Sequence, residues 1–429
     1  MWLSQINMRR LFAPCFAAIS ILSMAFAVLA DNWPQWRGPQ RDGISHETGL
    51  LGEWPKQGPQ LLWKVANMGR GFSTPAVVDG RVYLMGSEGL ENEFVEALDV
   101  KDGRRIWSSR MGNVGNPKQQ PNFPTARSTP TIDGDFLYAL SSDGDLACLD
   151  IKTGNVRWKK SLRSDFGGKT AEWAYAESPL IDGDTLVCAP GGSEATVIAL
   201  RKTTGEVLWK CALPEGDDAG FSSAIVVEVG GIRQYVRLLT KGLAGIEAST
   251  GRFLWRYGKA VSKYGANIQT PLASGDLIFC SSTGTGGGVV RLKVEGKNVG
   301  VEQVYFSPEY QTAIGGVVKV GDYLYGATGE ALLCTDFATG QVKWKERALG
   351  AVSLCYADGR LYLHGENGEV GLVEPSPESY REKSRFTPPD QPPRINPMEK
   401  AWAYPIVSDE RLYIRDNNVL YCYAVGSAK

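Results

Sequence analysis

Arg127, Trp173, Glu177, Glu194, Lys241, Asn267 and Trp402 are the side chains whose types and spacing could act together as a binding site. Indole faces stack on flat ligands, and guanidinium and ammonium groups pair with anions. A carboxylate such as Glu194, on the turn Gly191-Gly-Ser-Glu194, could hold a divalent cation such as calcium, with an amide such as Asn267 to orient the ligand. Tyr175, Gln269 and Lys400 fall in the same segments. The opposite reading stays open, because these residue types also hold loops together by hydrogen bonds.

Other chemistries find no support in the residues. Gly168-Lys169-Thr170 resembles the end of a phosphate-binding loop, but Arg163 occupies the position of its first glycine. The run Thr283-Gly-Thr-Gly-Gly-Gly288 has Val289 where a dinucleotide motif needs its third glycine. Asp143-Gly-Asp145 and Asp182-Gly-Asp184 lack the downstream glutamate of a calcium loop. No Gly-x-Ser-x-Gly elbow occurs, and His46 and His364, the 2 histidines of 429 residues, show no nucleophile partner. With 46 basic against 47 acidic residues and no basic run, a nucleic-acid partner is not expected.

Arg9 and Arg10 precede an apolar stretch, residues 11–30, that ends Val28-Leu29-Ala30 before Asp31. This pattern predicts a cleaved secretory signal over 1–30, hence a periplasmic or secreted bacterial protein with no stable membrane anchor. Cys15 lacks the small preceding residue of a lipidation site. The other cysteines, Cys148, Cys188, Cys211, Cys280, Cys334, Cys355 and Cys422, are odd in number and widely spread, and several lie in apolar runs. They read as buried hydrophobes rather than a disulfide framework.

The elements that must position these residues are announced by a repeat. Cys148-Leu-Asp-Ile-Lys-Thr-Gly-Asn-Val-Arg-Trp158 is matched by segments ending at Trp107, Trp209, Trp255 and Trp344. Each reads as strand, tight turn, strand, with the glycine supplying positive φ. An apolar residue two before the tryptophan (Val156, Val207, Phe253, Val342) is expected to share its face. Trp63, Trp107, Trp158, Trp209 and Trp255 fall 44, 51, 51 and 46 residues apart, and Phe306 divides the gap before Trp344. A second hairpin, such as Thr129-Pro-Thr-Ile-Asp-Gly-Asp-Phe-Leu-Tyr138, precedes each repeat. Four antiparallel strands per unit make a propeller blade. First strands near Ser73, Ser128, Ser178, Ser222, Thr270, Gly315, Ser353 and Tyr404 give eight.

The fold expected is therefore all-β: an eight-bladed β-propeller of four-stranded antiparallel blades over 61–429, with strand 61–65 completing the last blade. A Trp-rich leader, 31–60, is expected to pack on it. Chain direction places the long interblade loops 108–127, 159–177, 256–269 and 387–401 on one face, with the candidate residues at the mouth of the ring.

The Ala-x-Asp-x-x-Thr-Gly-x-x-x-Trp repeat resembles that of the pyrroloquinoline-quinone (PQQ) propellers, a family that includes quinoprotein alcohol dehydrogenases and the propeller subunit of the outer-membrane β-barrel assembly machinery. The resemblance covers about residues 61–424. The opening Asn32-Trp-Pro-Gln-Trp-Arg-Gly-Pro-Gln-Arg-Asp-Gly43 also resembles the leader of secreted bacterial proteins of this group. It implies that Trp107, Trp158, Trp209, Trp255 and Trp344 pack between neighbouring blades. For the dehydrogenase branch it implies PQQ and Ca2+, with Gly191-Gly-Ser-Glu194 similar to the turn carrying a calcium-ligating glutamate. The partner asparagine of that branch is missing from Gly284-Thr-Gly-Gly-Gly288. So are a match to the catalytic aspartate, an adjacent cysteine pair and a haem-attachment motif.

Three functions follow as expectations. The first is a non-catalytic binding or scaffold protein of the cell envelope, monomeric, with a protein or envelope partner on its long-loop face. The second is a PQQ- and Ca2+-dependent alcohol or sugar dehydrogenase with an altered site. The third is a carbohydrate or polyanion binder, or an enzyme on such a ligand, at the propeller mouth.

Overall fold

The computed structural model describes residues 32–118, 124–310, 316–395 and 397–427, so the expected signal segment, the start near Gly315 and part of the 108–127 loop lie outside the described residues. Eight four-stranded antiparallel sheets follow one another. Blades 1 to 7 span residues 76–112, 131–161, 180–211, 225–257, 272–307, 317–346 and 352–386. Blade 8 contains Ile406–Ser408, Arg411–Asp416 and Val419–Ala424, and Gln60–Val65 adds its fourth strand by pairing Trp63 with Cys422. The ring is closed by pairing this strand, which precedes blade 1, with the last three strands, so the sheet of blade 8 is completed.

The repeat signature is a set of local bonds. Asp150 accepts from Lys152 N, Thr153 N and Thr153 Oγ1 at 3.0–3.1 Å, and Gly154 N closes on Asp150 O at 2.8 Å. Asp336, with Ala338 and Thr339, repeats the arrangement. The glycine serves twice: Gly154 has φ +74°, and a Cβ there would meet Trp107 Cε3 of the preceding blade at 2.6 Å. Trp63, Trp107, Trp158 and Trp209 thus each lie on the turn glycine of the next blade, Gly103, Gly154, Gly205 and Gly251. Trp63, Trp107, Trp158, Trp209 and Trp344 also donate Nε1 across the joint, to Val100, Ile151, Lys202, Ala248 and Ser376 carbonyls. Trp255 packs between blades 4 and 5 as well but turns its Nε1 back to Gln234 Oε1 at 2.6 Å.

Two sequence expectations change here, and blade 7 departs from the series. Phe306 does not fill the gap in the series: Tyr305 pairs with Val289 as the tryptophans pair in their blades, and its hydroxyl donates to Phe337 O at 3.1 Å. The apolar residue two before each tryptophan does not share its face. A β-bulge intervenes in every blade, as between Cys148 and Leu149, and the extra residue inverts the alternation. Val156 and Val207 are accordingly exposed. In blade 7, Ser384 occupies the tryptophan position, and Trp54 from outside the repeat takes over the joint, its amide donating to Ser384 Oγ at 2.7 Å and its ring packing on Tyr362 and Phe386.

The segment before the ring threads it. Trp33 bridges Val77 in blade 1, and Pro34 O accepts from Ile132 N in blade 2 at 2.8 Å. The chain then turns at Gln35–Gly38, where Gly38 has φ +80° and packs on Trp33. Arg41 donates to Ser178, Pro179 and Ala224 carbonyls in blades 3 and 4, and Arg37 to Asp42 O and to Val317 O of blade 6. Trp36 Nε1 reaches Thr270 Oγ1 at the start of blade 5 at 2.8 Å. Ile44 bridges Tyr356 in blade 7, and the Glu47 carboxylate accepts from the amides of Asp409 and Glu410 in blade 8. The two leader guanidiniums thus satisfy carbonyls at or just before the first strands of blades 3, 4 and 6.

Candidate functional site

The long-loop face holds a cavity of about 600 Å3 walled mostly by rings. Its wall comes from one register position. Phe72, Arg127, Ala176, Ile268 and Trp402 each stand three residues before the proline that opens a first strand, and Phe221 stands three before Ala224 in blade 4. Trp173, Tyr264 and Met398 come from the long loops, and Trp36, Glu366 and Tyr404 are among the other lining residues.

Aromatic contacts fix the wall. Phe72 and Trp402 have ring centroids 4.8 Å apart, Trp173 and Phe221 5.5 Å, and Trp36 meets Tyr404 edge-on at 4.7 Å. The Arg127 guanidinium lies over the Phe72 ring at 5.3 Å. Burial lowers its pKa to about 10, against the pull of the Glu93 carboxylate, so it stays protonated at neutral pH. Glu366, the one carboxylate of the lining, accepts from Trp402 Nε1 at 3.2 Å.

Of the residues singled out in the sequence, Arg127, Trp173 and Trp402 line the cavity, and Glu177, Glu194, Lys241 and Asn267 do not. Alternation along the segments that lead into the first strands decides two of these: Ala176 and Ile268 line the cavity, and Glu177 and Asn267 beside them are buried in the protein. Glu177 accepts from Ala189 N at 2.6 Å and pairs with Arg237, both side chains 2% exposed. Asn267 accepts from Ser262 N at 2.7 Å and donates to Leu239 O at 2.7 Å, fastening blade 5 to blade 4. Lys241 Nζ donates to Glu215 O at 2.6 Å, and Glu194 stands exposed on its turn. The sequence reading missed Trp36, Phe72, Phe221, Tyr264, Glu366 and Tyr404. The residue three before each proline was the signal available for Phe72, and by homology of position for Phe221.

These residues do not fit a calcium-bound quinone. A Ca2+ site needs six or more oxygen ligands, whereas the cavity offers one carboxylate, already bonded to Trp402. Among the described residues no three His, Cys, Asp or Glu side chains come together to hold a metal ion, and Glu194 stands exposed on its turn. His364 is buried with Nδ1 2.9 Å from Ala403 O, and burial lowers its pKa. The seven described cysteines are all buried as free thiols.

Among relatives of known name, the chain is 28% identical over 142 residues to the outer membrane protein assembly factor BamB of Salmonella typhimurium, covering 33% of this chain and 31% of that protein. It is 26% identical over 199 residues to BamB of Moranella endobia, covering 44% and 49%. The chain therefore spans about a third to a half of the length of these relatives. A quinohemoprotein alcohol dehydrogenase of Pseudomonas putida is 27% identical over 163 residues, 37% of this chain and 22% of that one. The quinohemoprotein alcohol dehydrogenase structure of Comamonas testosteroni superposes with TM-score 0.51 at 13% identity, over 93% and 81% of the two chains. Saccharomyces cerevisiae Sqt1 gives 0.57 at 12%, over 86% and 99%. At such identities the superpositions establish the fold alone. The sequence family described as outer membrane protein assembly factor BamB matches residues 45–195 and 176–379, most of the chain including six whole blades and three strands of the seventh, and the chain belongs to that family of PQQ-type propellers.

Proposed function

We propose that this protein is a non-catalytic binding propeller of the bacterial cell envelope, periplasmic or secreted and monomeric, that holds a partner protein against its long-loop face. The observation that carries the reading is the aromatic cavity. Six blades contribute to it from one register position, and its apolar walls suit a buried anchor group with few polar contacts. The names of the BamB relatives, assembly factors for outer membrane proteins, support an envelope partner.

Photo-crosslinking residues placed at Phe72 or Tyr264, compared with Asp184 on the hairpin face, test this in cells. A discrete adduct is expected at the first two positions and not at the third. Equal crosslinking at all three, or none, refutes a loop-face partner. The dehydrogenase reading is favoured by the likeness to the Pseudomonas putida enzyme. It requires that PQQ with Ca2+ raise the melting temperature and that Glu194→Gln remove the rise.

A further inference from the structure

Arginine stands at two places in the leader where the backbone favours glycine. Arg37 has φ 61° and Arg41 φ 58°, in the left-handed region, as have Gly38 at φ 80° and Gly43 at φ 83° in the same loop. Glycine would hold all four positions without strain, so the backbone turns do not account for arginine and its side-chain contacts must. Both arginines are 3% exposed. Arg41 Nη1 donates to Ala224 O at 2.8 Å and to Ser178 O at 3.3 Å, Nη2 donates to Pro179 O, and Nε donates to Gln35 Oε1 at 2.9 Å. Arg37 Nη2 donates to Asp42 O at 2.7 Å and to Val317 O. These acceptors in the ring are backbone carbonyls of blades 3, 4 and 6, not carboxylates. Burial lowers Arg41 to about 9, so it is still a cation at neutral pH.

We infer that the axis of the ring is a guanidinium-binding site built from carbonyls at the first strands, and that the chain fills it with its own leader as an internal ligand. The leader is a loop inserted from the hairpin face. Asn32 bonds Asp79 where it enters, and Glu47 accepts from the amides of Asp409 and Glu410 where it leaves. A planar fork with five donors spans several carbonyls at once, whereas the ammonium of a lysine is a point charge. Trp36, next to Arg37 at the tip of the loop, lines the cavity with its Nε1 on Thr270 Oγ1, so seating the guanidiniums also places the indole that makes the cavity a blind cup. Ser178, Pro179 and Ala224 lie within three residues of Ala176 and Phe221 in the cavity wall, so the same contacts hold that wall. Arg37 and Arg41 are therefore the ligand groups of the axial site and positioning residues for the cavity, whatever occupies it.

Arg41→Gly in the full chain removes the guanidinium and relieves the backbone in one step. A leader held by packing alone would then be seated as firmly as in wild type, or more so. The axial site predicts instead that amides of residues 33–45 exchange with deuterium about tenfold faster, ahead of residues 137–140 in the second strand of blade 2, which report opening of the whole ring. Millimolar methylguanidinium should restore slow exchange, and methylammonium should not. Arg41→Lys keeps the charge without the fork and should loosen the leader as Arg41→Gly does. Arg37→Gly puts the same question to the blade 6 carbonyl and serves if Arg41→Gly does not fold. Gly154→Ala, which strains a blade joint outside the leader, is the control: there the leader should loosen no more than residues 137–140 do. Fluorine NMR of protein labelled with 5-fluorotryptophan follows Trp36, assigned by Trp36→Phe; its line should move in Arg41→Gly and return with methylguanidinium. Leader exchange in Arg41→Gly that matches wild type or merely keeps pace with residues 137–140 overturns the axial site, as does equal rescue by the two cations or rescue by neither.

Discussion

Glu177→Ala separates the two roles this residue could have. In the sequence it stands among ligand-binding candidates; in the structure it is the buried partner of Arg237. Arg237 is lowered to about 9 by burial and, secondly, by the nearby positive charge of Arg41, yet remains a cation at pH 7. Removing the carboxylate leaves the buried Arg237 guanidinium with the Ala219 carbonyl and the repelling charge of Arg41, with Ala189 N losing its acceptor as well. Breaking a buried pair from one side costs about 3–5 kcal/mol. With an unfolding entropy of about 2.1 cal/mol/K per residue over roughly 400 residues, that is a fall in melting temperature of about 4–6 °C. Scanning calorimetry with parallel urea melts measures it. The double variant Glu177→Leu/Arg237→Met, which replaces both charges by apolar groups of similar size, should recover most of the loss. A melting temperature within about 1 °C of wild type would refute the reasoning that Glu177 is held as a buried structural partner of Arg237.

Glu93 gives a pH prediction. Burial raises its carboxyl from 4.5 to about 7, against the bonds from Ser142 and the charge of Arg127, with Asp145 reinforcing the rise. The fold prefers the protonated acid, so its contribution is full below about pH 4.5 and is lost as pH rises to about 7, a swing of about 3 kcal/mol. Glu93→Gln should therefore gain on wild type across that window in urea melts, and parallel stability curves would rule the shift out. Gly154→Ala pays the left-handed backbone cost of about 1–2 kcal/mol plus about 1–3 kcal/mol for crowding Trp107. Gly296→Ala, at φ +62° with nothing within 4 Å, pays only the first, so equal losses would mean the turn glycine is not read by the indole. Trp54→Ala should cost about 3–5 kcal/mol by emptying the joint between blades 7 and 8. A loss below about 1 kcal/mol would show that Ser384 leaves that joint closed without it.

The ring was legible because its signals are local. Asp150, Thr153 and Gly154 close a turn within five residues, and the recurrence of that turn before a tryptophan marked the blade, while the first strands of the upstream hairpins gave the count of eight and the leftover strand 61–65 the closure. The site was legible only in part. Arg127, Trp173 and Trp402 were visible because they are large, polar or aromatic side chains in long loops. Glu177 and Asn267 have the same credentials and face inward, since one residue of register moves an extended side chain from cavity to core. Side-chain type alone carries no information about that register.

What the sequence determined by itself, then, is the repeating unit, its number and the face on which the loops accumulate. Each of these depends on contacts between residues close in the chain. Tertiary structure alone decided that the bulge turns Val156 outward, that Trp54 serves a blade it does not belong to, and that Trp36 is the floor of a cup whose walls lie up to hundreds of residues away. The hydrogen bond from Trp36 to Thr270 spans 234 residues. A contact of that separation has no local pattern: it exists only because the closed ring brings eight inner strands to one axis, and the leader is the segment with the arginines to satisfy them.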